Sequence, residues 1–255
     1  MGILNVTPDS FSDGAPKGAV TEFLRKAEAM VVQGADIIDI GGESTRPGAS
    51  SVPLDTELAR ILPVLREIVS WNVPVSIDTY KAGVMSASLE CGADMINDVS
   101  ALEDVGALNV IAQSNCAVCL MHKKGQPDTM QQAPHYQDVM SEIRNYLDGR
   151  LAAARRAGVA RERLVIDPGF GFGKTFEDNI ELMRRLPEFK DLGSPVLVGM
   201  SRKAMLGKIT GRPVSERMVA SIAAALVAIR NGAGIVRVHD VAATKDALSV
   251  WAALT

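Results

Sequence analysis

Eight short apolar runs alternate with eight helix-like segments along these 255 residues, and nothing else in the chain constrains its fold as much. The runs lie near Gly2–Val6, Asp36–Ile40, Val73–Asp78, Asp94–Asn97, Ala117–Met121, Leu164–Asp167, Val196–Gly199 and Ile235–Val238. The segments between and after them are Thr21–Gln33, Leu54–Ser70, Lys81–Glu90, Val105–Ser114, Tyr136–Arg156, Phe176–Leu186, Ser215–Arg230 and Thr244–Ala253. This order predicts an α/β fold whose parallel sheet closes into a (β/α)8 barrel of the TIM type. A doubly wound open sheet is the alternative. The length suits one such barrel, and no linker or composition break divides residues 1–255, so a single domain is expected.

A weak repeat supports the barrel. Gly34-Ala35-Asp36, Gly92-Ala93-Asp94 and Gly232-Ala233-Gly234 each fall between a helix and a strand. Glycine there suits the left-handed residue that closes a helix.

Composition removes several function classes. Basic and acidic residues are mixed, the formal charge is −3, and aromatic residues make up only 4% of the chain. Neither a nucleic-acid surface nor a membrane surface is expected. No apolar segment is long enough to span a bilayer, and the N-terminus has no signal-peptide pattern, so a cytoplasmic protein is expected. Cys91, Cys116 and Cys119 are odd in number and lie among apolar residues. The Cys116–Cys119 pair falls in a predicted strand without a second pair, which favours buried thiols over a zinc or redox site.

The stretch Asp167-Pro168-Gly169-Phe170-Gly171-Phe172-Gly173-Lys174 ends the sixth run. Pro168 has no N–H for a further ladder bond, so pairing stops there. The three glycines permit backbone angles that other residues resist. A carboxylate is thereby placed at a strand end beside a loop able to lie flat under a planar ligand. A P-loop would need glycine at Pro168, and a dinucleotide fingerprint would need glycine at Lys174, so both phosphate motifs fail.

Other strand ends are also polar: Asn5, Asp39, Asp78, Asn97 with Asp98, Met121 with His122, Ser201 to Lys203, and Arg237 with His239 and Asp240. In a closed barrel these converge on one mouth. Asp78, Asn97 and Asp167 suit a heterocycle bearing N–H groups, and Lys203 adds a donor. Asn5, Arg237 and His239 sit where the barrel closes, a suitable place for phosphate. His122 reads at least as well as a loop partner. Two irregular segments, Thr7–Gly18 and Gly41–Pro53, lie on the same rim, where barrel chemistry is placed.

These residues carry a resemblance. MGILNVTPDSFSDG (1–14), GGESTRPGA (41–49), IDT (77–79), NDV (97–99), CLMH (119–122), IDPGFGFGK (166–174), GMSRK (199–203) and RVHD (237–240) occur in this order. Together they resemble the dihydropteroate synthases over essentially the whole chain. The resemblance implies condensation of 6-hydroxymethyl-7,8-dihydropterin diphosphate with p-aminobenzoate, giving 7,8-dihydropteroate and diphosphate, with Mg²⁺ required. It implies sulfonamide inhibitors and a homodimer formed through the last helices. The implied pterin pocket is Asp78, Asn97, Met121, Asp167, Gly171, Phe172 and Lys203. The implied diphosphate site is Asn5, Arg46, Arg237 and His239, with Asn5 also reaching the metal. The implied p-aminobenzoate pocket is Phe11, Thr45, Pro47, Ser201 and Lys203. Asp78, Asp167, Lys203, Arg237 and His239 would carry the chemistry, along a dissociative, SN1-like path.

Two departures accompany it. The family has a short segment before the first strand that covers the barrel floor, whereas Met1 here already belongs to that strand's motif. Many relatives have serine after the Ser-Arg-Lys motif, where this chain has Ala204. Two rival readings are a methyltetrahydrofolate-binding methyltransferase domain and a non-catalytic pterin-binding protein. The first has no use for the Thr7–Gly14 and Ser201–Lys203 motifs. The second is opposed by the intact phosphate residues.

Overall fold

The computed structural model describes residues 1–7, 16–44, 49, 51–125, 130 and 134–255, with the side chains of 16–18 excepted. Within them, eight strands form one sheet in sequence order. They are β1 (Gly2–Asn5), β2 (Ile38–Gly41), β3 (Val75–Asp78), β4 (Met95–Asp98), β5 (Ala117–Met121), β6 (Leu164–Asp167), β7 (Val196–Val198) and β8 (Ala233–Val236). Every neighbouring pair is parallel. A parallel bridge from Gly2 to Val238 closes the sheet, with Ile3 N donating to Val238 O at 3.0 Å. The expected barrel is therefore the fold.

The helices are α1 (Pro16–Val32), α2 (Leu54–Ile68), α3 (Ala82–Glu90), α4 (Ala107–Gln113), α5 (Val139–Arg156), α6 (Phe176–Arg184), α7 (Ala204–Thr210), α8 (Met218–Arg230) and α9 (Val241–Leu254). Strand alternation sorts their partners. Ile38, Ile40, Val75, Ile77, Ile96, Val118, Leu120, Leu164 and Ile166 belong to the large core shared with the helices. A smaller core of Met1, Met95, Cys119, Val165 and Leu197 is built from the opposite strand faces and fills the barrel. That interior is apolar low down and polar at the top, where the carboxylates of Asp39, Asp78 and Asp167 and the amide of Asn97 are buried.

Local chemistry explains several boundaries. Gly34, Gly92 and Gly232 have φ of +87°, +100° and +98°, so the repeated turn closes α1, α3 and α8 as expected. Gly106, at φ +89°, delays α4 until Ala107 rather than the expected Val105. Asp138 caps α5 by accepting from Ser141 N at 2.9 Å, so that helix begins at Val139 and not at Tyr136. Thr175 and Asp178 form a reciprocal capping box at the start of α6. The last strand runs Ala233–Val236 instead of Ile235–Val238, with a register irregularity opposite Val196 and Leu197, while Val238 still bridges to Gly2. The short helix α7 falls between β7 and α8, and a 3-10 turn at Val214–Glu216 replaces the expected first turn of α8. Cys116 and Cys119 are buried free thiols, as expected, but Cys91 is only partly buried and Cys116 precedes β5.

Candidate active site at the barrel mouth

Strand register assembles the mouth. Asn5 pairs with Gly41, Gly41 with Asp78, and Asp78 with Asn97. On the other side Met121 pairs with Asp167. Arg237 lies just beyond β8, with its N–H donated to Val198 O at 3.0 Å. The side chains that the sequence separates by up to 232 residues, from Asn5 to Arg237, thus meet at one end of the barrel.

Arg237 organises the charge. Its Nε donates to Asp39 Oδ2 at 2.6 Å and its Nη2 to Asp78 Oδ2 at 2.7 Å. Burial works against the guanidinium charge, but the two carboxylates outweigh it and raise the Arg237 pKa. One cation cannot neutralise two carboxylates. Burial pushes Asp78 up to about 7 against the pull of Arg237, with the Asp39 charge adding to the rise. Asp39 Oδ1 and Asp78 Oδ1 are buried, without a hydrogen-bond partner among the described residues. Asn97 Nδ2 approaches Asp39 Oδ2 at 3.4 Å.

The loop after β6 forms the facing wall. Asp167 Oδ1 accepts from Gly169 N at 2.7 Å, and burial raises its pKa although Lys203, that N–H and Lys174 oppose the rise. Gly169 has φ +70°, and a Cβ there would sit 1.8 Å from His122 O, so only glycine fits. Gly171 N donates to Asn179 Oδ1 at 2.7 Å. Lys203 Nζ donates to Phe170 O and stands 4.7 Å from the Phe172 ring centroid. Burial lowers Lys203 to about 8, while Asp167 holds it up.

Ser201 and His239 meet at 2.9 Å between Oγ and Nδ1, and Ser201 Oγ also accepts from His239 N at 3.2 Å. Arg202, at φ +59°, donates to both oxygens of Asp240 at 3.2 and 2.5 Å. This joins the end of β7 to the end of β8. Ala204 opens α7 directly after Lys203 and is exposed.

The structure brings together Asn5, Asp78, Asn97, Met121, Asp167, Gly171, Phe172, Ser201, Lys203, Arg237 and His239. Phe11, Thr45, Arg46 and Pro47 lie outside the described residues. Sequence reasoning named Asp39 among the polar strand ends and Lys174 in the glycine-rich stretch, but gave neither the partnership of Asp39 with Arg237 nor the burial of Lys174, and it missed Asn179 as the anchor of Gly171. Asp39 carried a signal, since a carboxylate inside an apolar run requires a buried partner.

The residues fit a hard cation. A Cβ on Gly41 would lie 3.5 Å from Asn5 Oδ1 and 3.7 Å from Asp78 Oδ2, so the glycine keeps the space beside the Asn5 amide oxygen open, while Asp78 Oδ2 already accepts from Arg237 Nη2. Mg²⁺ takes one or two protein oxygens and completes its shell with water and substrate phosphates. Among the described residues no group of three His, Cys, Asp or Glu side chains is placed to hold a metal ion.

The model of the family described as "Pterin binding enzyme" matches residues 1–239. The dihydropteroate synthase of Neisseria meningitidis serogroup B is 51% identical over 262 residues, which cover 100% of this chain and 92% of that protein. The chain belongs to the dihydropteroate synthase family. Two solved members of that family match its fold. The Xanthomonas albilineans dihydropteroate synthase with 4-aminobenzoic acid superposes with a TM-score of 0.93 at 48% identity, covering 99% of this chain and 91% of that one. The Yersinia pestis dihydropteroate synthase in a sulfonamide drug complex does so with a TM-score of 0.94 at 44% identity, covering 99% and 92%. As a dihydropteroate synthase family member the chain is an enzyme, a transferase of folate synthesis.

Proposed function

We propose that this single barrel domain condenses 6-hydroxymethyl-7,8-dihydropterin diphosphate with p-aminobenzoate, giving 7,8-dihydropteroate and diphosphate. The observation that carries this reading is the placing of two buried carboxylates, Asp78 and Asp167, beside two half-buried cations, Arg237 and Lys203, around one mouth. Asp78, Asn97, Met121, Asp167, Gly171, Phe172 and Lys203 take the pterin. Asn5, Arg237 and His239 take the diphosphate, joined by Arg46. Phe11, Thr45, Pro47, Ser201 and Lys203 take p-aminobenzoate and, in its place, sulfonamides.

The carbon–oxygen bond of the pterin methylene breaks, and its electron pair leaves with the diphosphate. The ring delocalises the resulting positive charge. Asp78 and Asp167 stabilise that cation in a site where burial keeps water from screening them. Arg237 and His239 hold the departing diphosphate. Asn5 would hold Mg²⁺, which would supply further positive charge beside the departing diphosphate. The neutral arylamine then attacks, a carbon–nitrogen bond forms, and the nitrogen loses a proton. No strong base is required, because an arylamine is already nucleophilic when neutral.

Among the described residues no helix is long and apolar enough to cross a membrane; we read the protein as cytoplasmic. We also read it as a homodimer. The small residues of α8 divide into two faces: Ser221, Ala225 and Ala228 are buried, while Ala220, Ala223 and Ala224 line an apolar groove with Met205 and Val227. That outer face suits close packing against a second copy. Incubation of the purified protein with both substrates and Mg²⁺ tests the reaction. Formation of 7,8-dihydropteroate supports it, and absence of the product contradicts it.

A further inference from the structure

Lys174 is 3% exposed, and among the described residues no carboxylate forms an ion pair with it. Instead Nζ donates to Gly169 O at 2.8 Å, Phe172 O at 3.0 Å and His122 Nδ1 at 3.0 Å, and reaches His122 O at 3.4 Å. An ammonium this deep is costly unless its donors are used, and here carbonyl and imidazole lone pairs use them. Burial lowers its pKa well below the usual lysine value, with Asp167 opposing. Burial and the Lys174 charge together push His122 down to about 2. His122 is therefore a neutral acceptor, and its ring meets Tyr146 edge-on at 5.0 Å.

The three partners define a geometry. Gly169 and Phe172 bracket the loop that carries Gly171 and follows Asp167, and His122 follows Met121 on the neighbouring strand. Lys203 reaches Phe170 O, the carbonyl between the two that Lys174 takes. Two lysines from different elements thus draw carbonyls of one four-residue turn, Gly169–Phe172, itself closed by Phe172 N donating to Gly169 O at 3.1 Å. Asn179 holds Gly171 N in the same turn.

We propose that Lys174 is a positioning residue of the pterin pocket. It draws the carbonyls of Gly169, Phe172 and His122 inward, which sets Asp167, Gly171 and Phe172 relative to Lys203. The proposal rests on the pterin assignment above. It differs from that assignment in placing no part of Lys174 against substrate. The p-aminobenzoate pocket shares only Lys203 with this turn, so it should depend on Lys174 much less.

The test compares wild type with Lys174→Met and Lys174→Arg. In the folded methionine variant, KM for the pterin diphosphate should rise at least about tenfold, the loss expected when charged hydrogen bonds are removed. KM for p-aminobenzoate at saturating pterin diphosphate should change much less. Lys174→Arg, which keeps a cation and its donors, should recover part of the pterin affinity. A role confined to stability would lower the melting temperature without separating the two KM values. Unchanged pterin KM in folded Lys174→Met, or an equal rise in both KM values, overturns the proposal. If the methionine variant does not fold, ¹⁵N-histidine NMR of the wild type decides. His122 should carry its proton on Nε2, leaving Nδ1 to accept from Lys174; a proton on Nδ1 overturns the geometry. Failure of the pterin assignment itself would look different, since the wild type would then neither bind nor turn over the pterin diphosphate.

Discussion

Arg237 and Asp78 are joined at 2.7 Å, yet the same guanidinium also holds Asp39 at 2.6 Å. The cation is shared, so the two acids do not contribute alike. Asp39 lies deeper, on β2, and is fully buried. Asp78 sits at the last residue of β3, on the rim. We assign the anchoring of Arg237 to Asp39 and the facing of the substrate to Asp78.

Asp78→Asn should therefore leave Arg237 anchored and the barrel folded. If Asp78 acts on the cation formed during reaction, kcat should fall about a hundredfold, the scale of losing one preorganised electrostatic group. KM for either substrate should change much less. Steady-state kinetics separate the two, and a rise in KM with kcat intact would move Asp78 to ground-state binding.

Asp167→Asn keeps the size of the side chain and an oxygen able to accept from Gly169 N. It removes the negative charge that faces Lys203. Pterin diphosphate binding should weaken by about 1.5–3 kcal/mol, as for a charge-assisted hydrogen bond. Titration calorimetry with the pterin substrate gives the value, and wild-type affinity would remove Asp167 from the pocket.

The pH profile of kcat/KM for the pterin diphosphate should be a narrow bell. Asp78, raised to about 7 by burial, loses its charge as pH falls through that value. Lys203, lowered to about 8 by burial, loses its charge as pH rises through that value. Both charged forms coexist only between the two limbs. Lys203→Arg, which cannot deprotonate in this range, should abolish the basic limb and leave the acidic one. A basic limb that survives in this variant belongs to another group.

Ala223→Glu tests the dimer. Ala223 is exposed on α8 in the groove that also takes in Met205 and Val227, so the isolated barrel should tolerate the change. A buried, unpaired carboxylate at a subunit contact should shift the protein to monomer. Light scattering reads this directly, and an unaltered dimer would place the contact elsewhere.

The barrel was legible in the sequence because each strand and helix carries its own local signal. β5 and β6 run over Ala117–Met121 and Leu164–Asp167 as expected. Boundaries moved where one residue decided them, as with Gly106 before α4 and Asp138 before α5. The register irregularity at β8 depends on its neighbour β7 and has no local signature. The rim residues were legible as polar side chains ending apolar runs. The partnerships among them were not. Asp39 joins Arg237 across 198 residues of sequence, and Lys174 is buried by a turn that its own side chain helps to hold. Such contacts arise only from closure of the barrel.

Diphosphate release from 6-hydroxymethyl-7,8-dihydropterin diphosphate, followed in Mg²⁺ with and without p-aminobenzoate, tests the central reading most directly. The account predicts rapid, continuous release with p-aminobenzoate, one diphosphate for each 7,8-dihydropteroate formed, and only slow release without it. No release under either condition would contradict it and leave a pterin-binding protein without turnover.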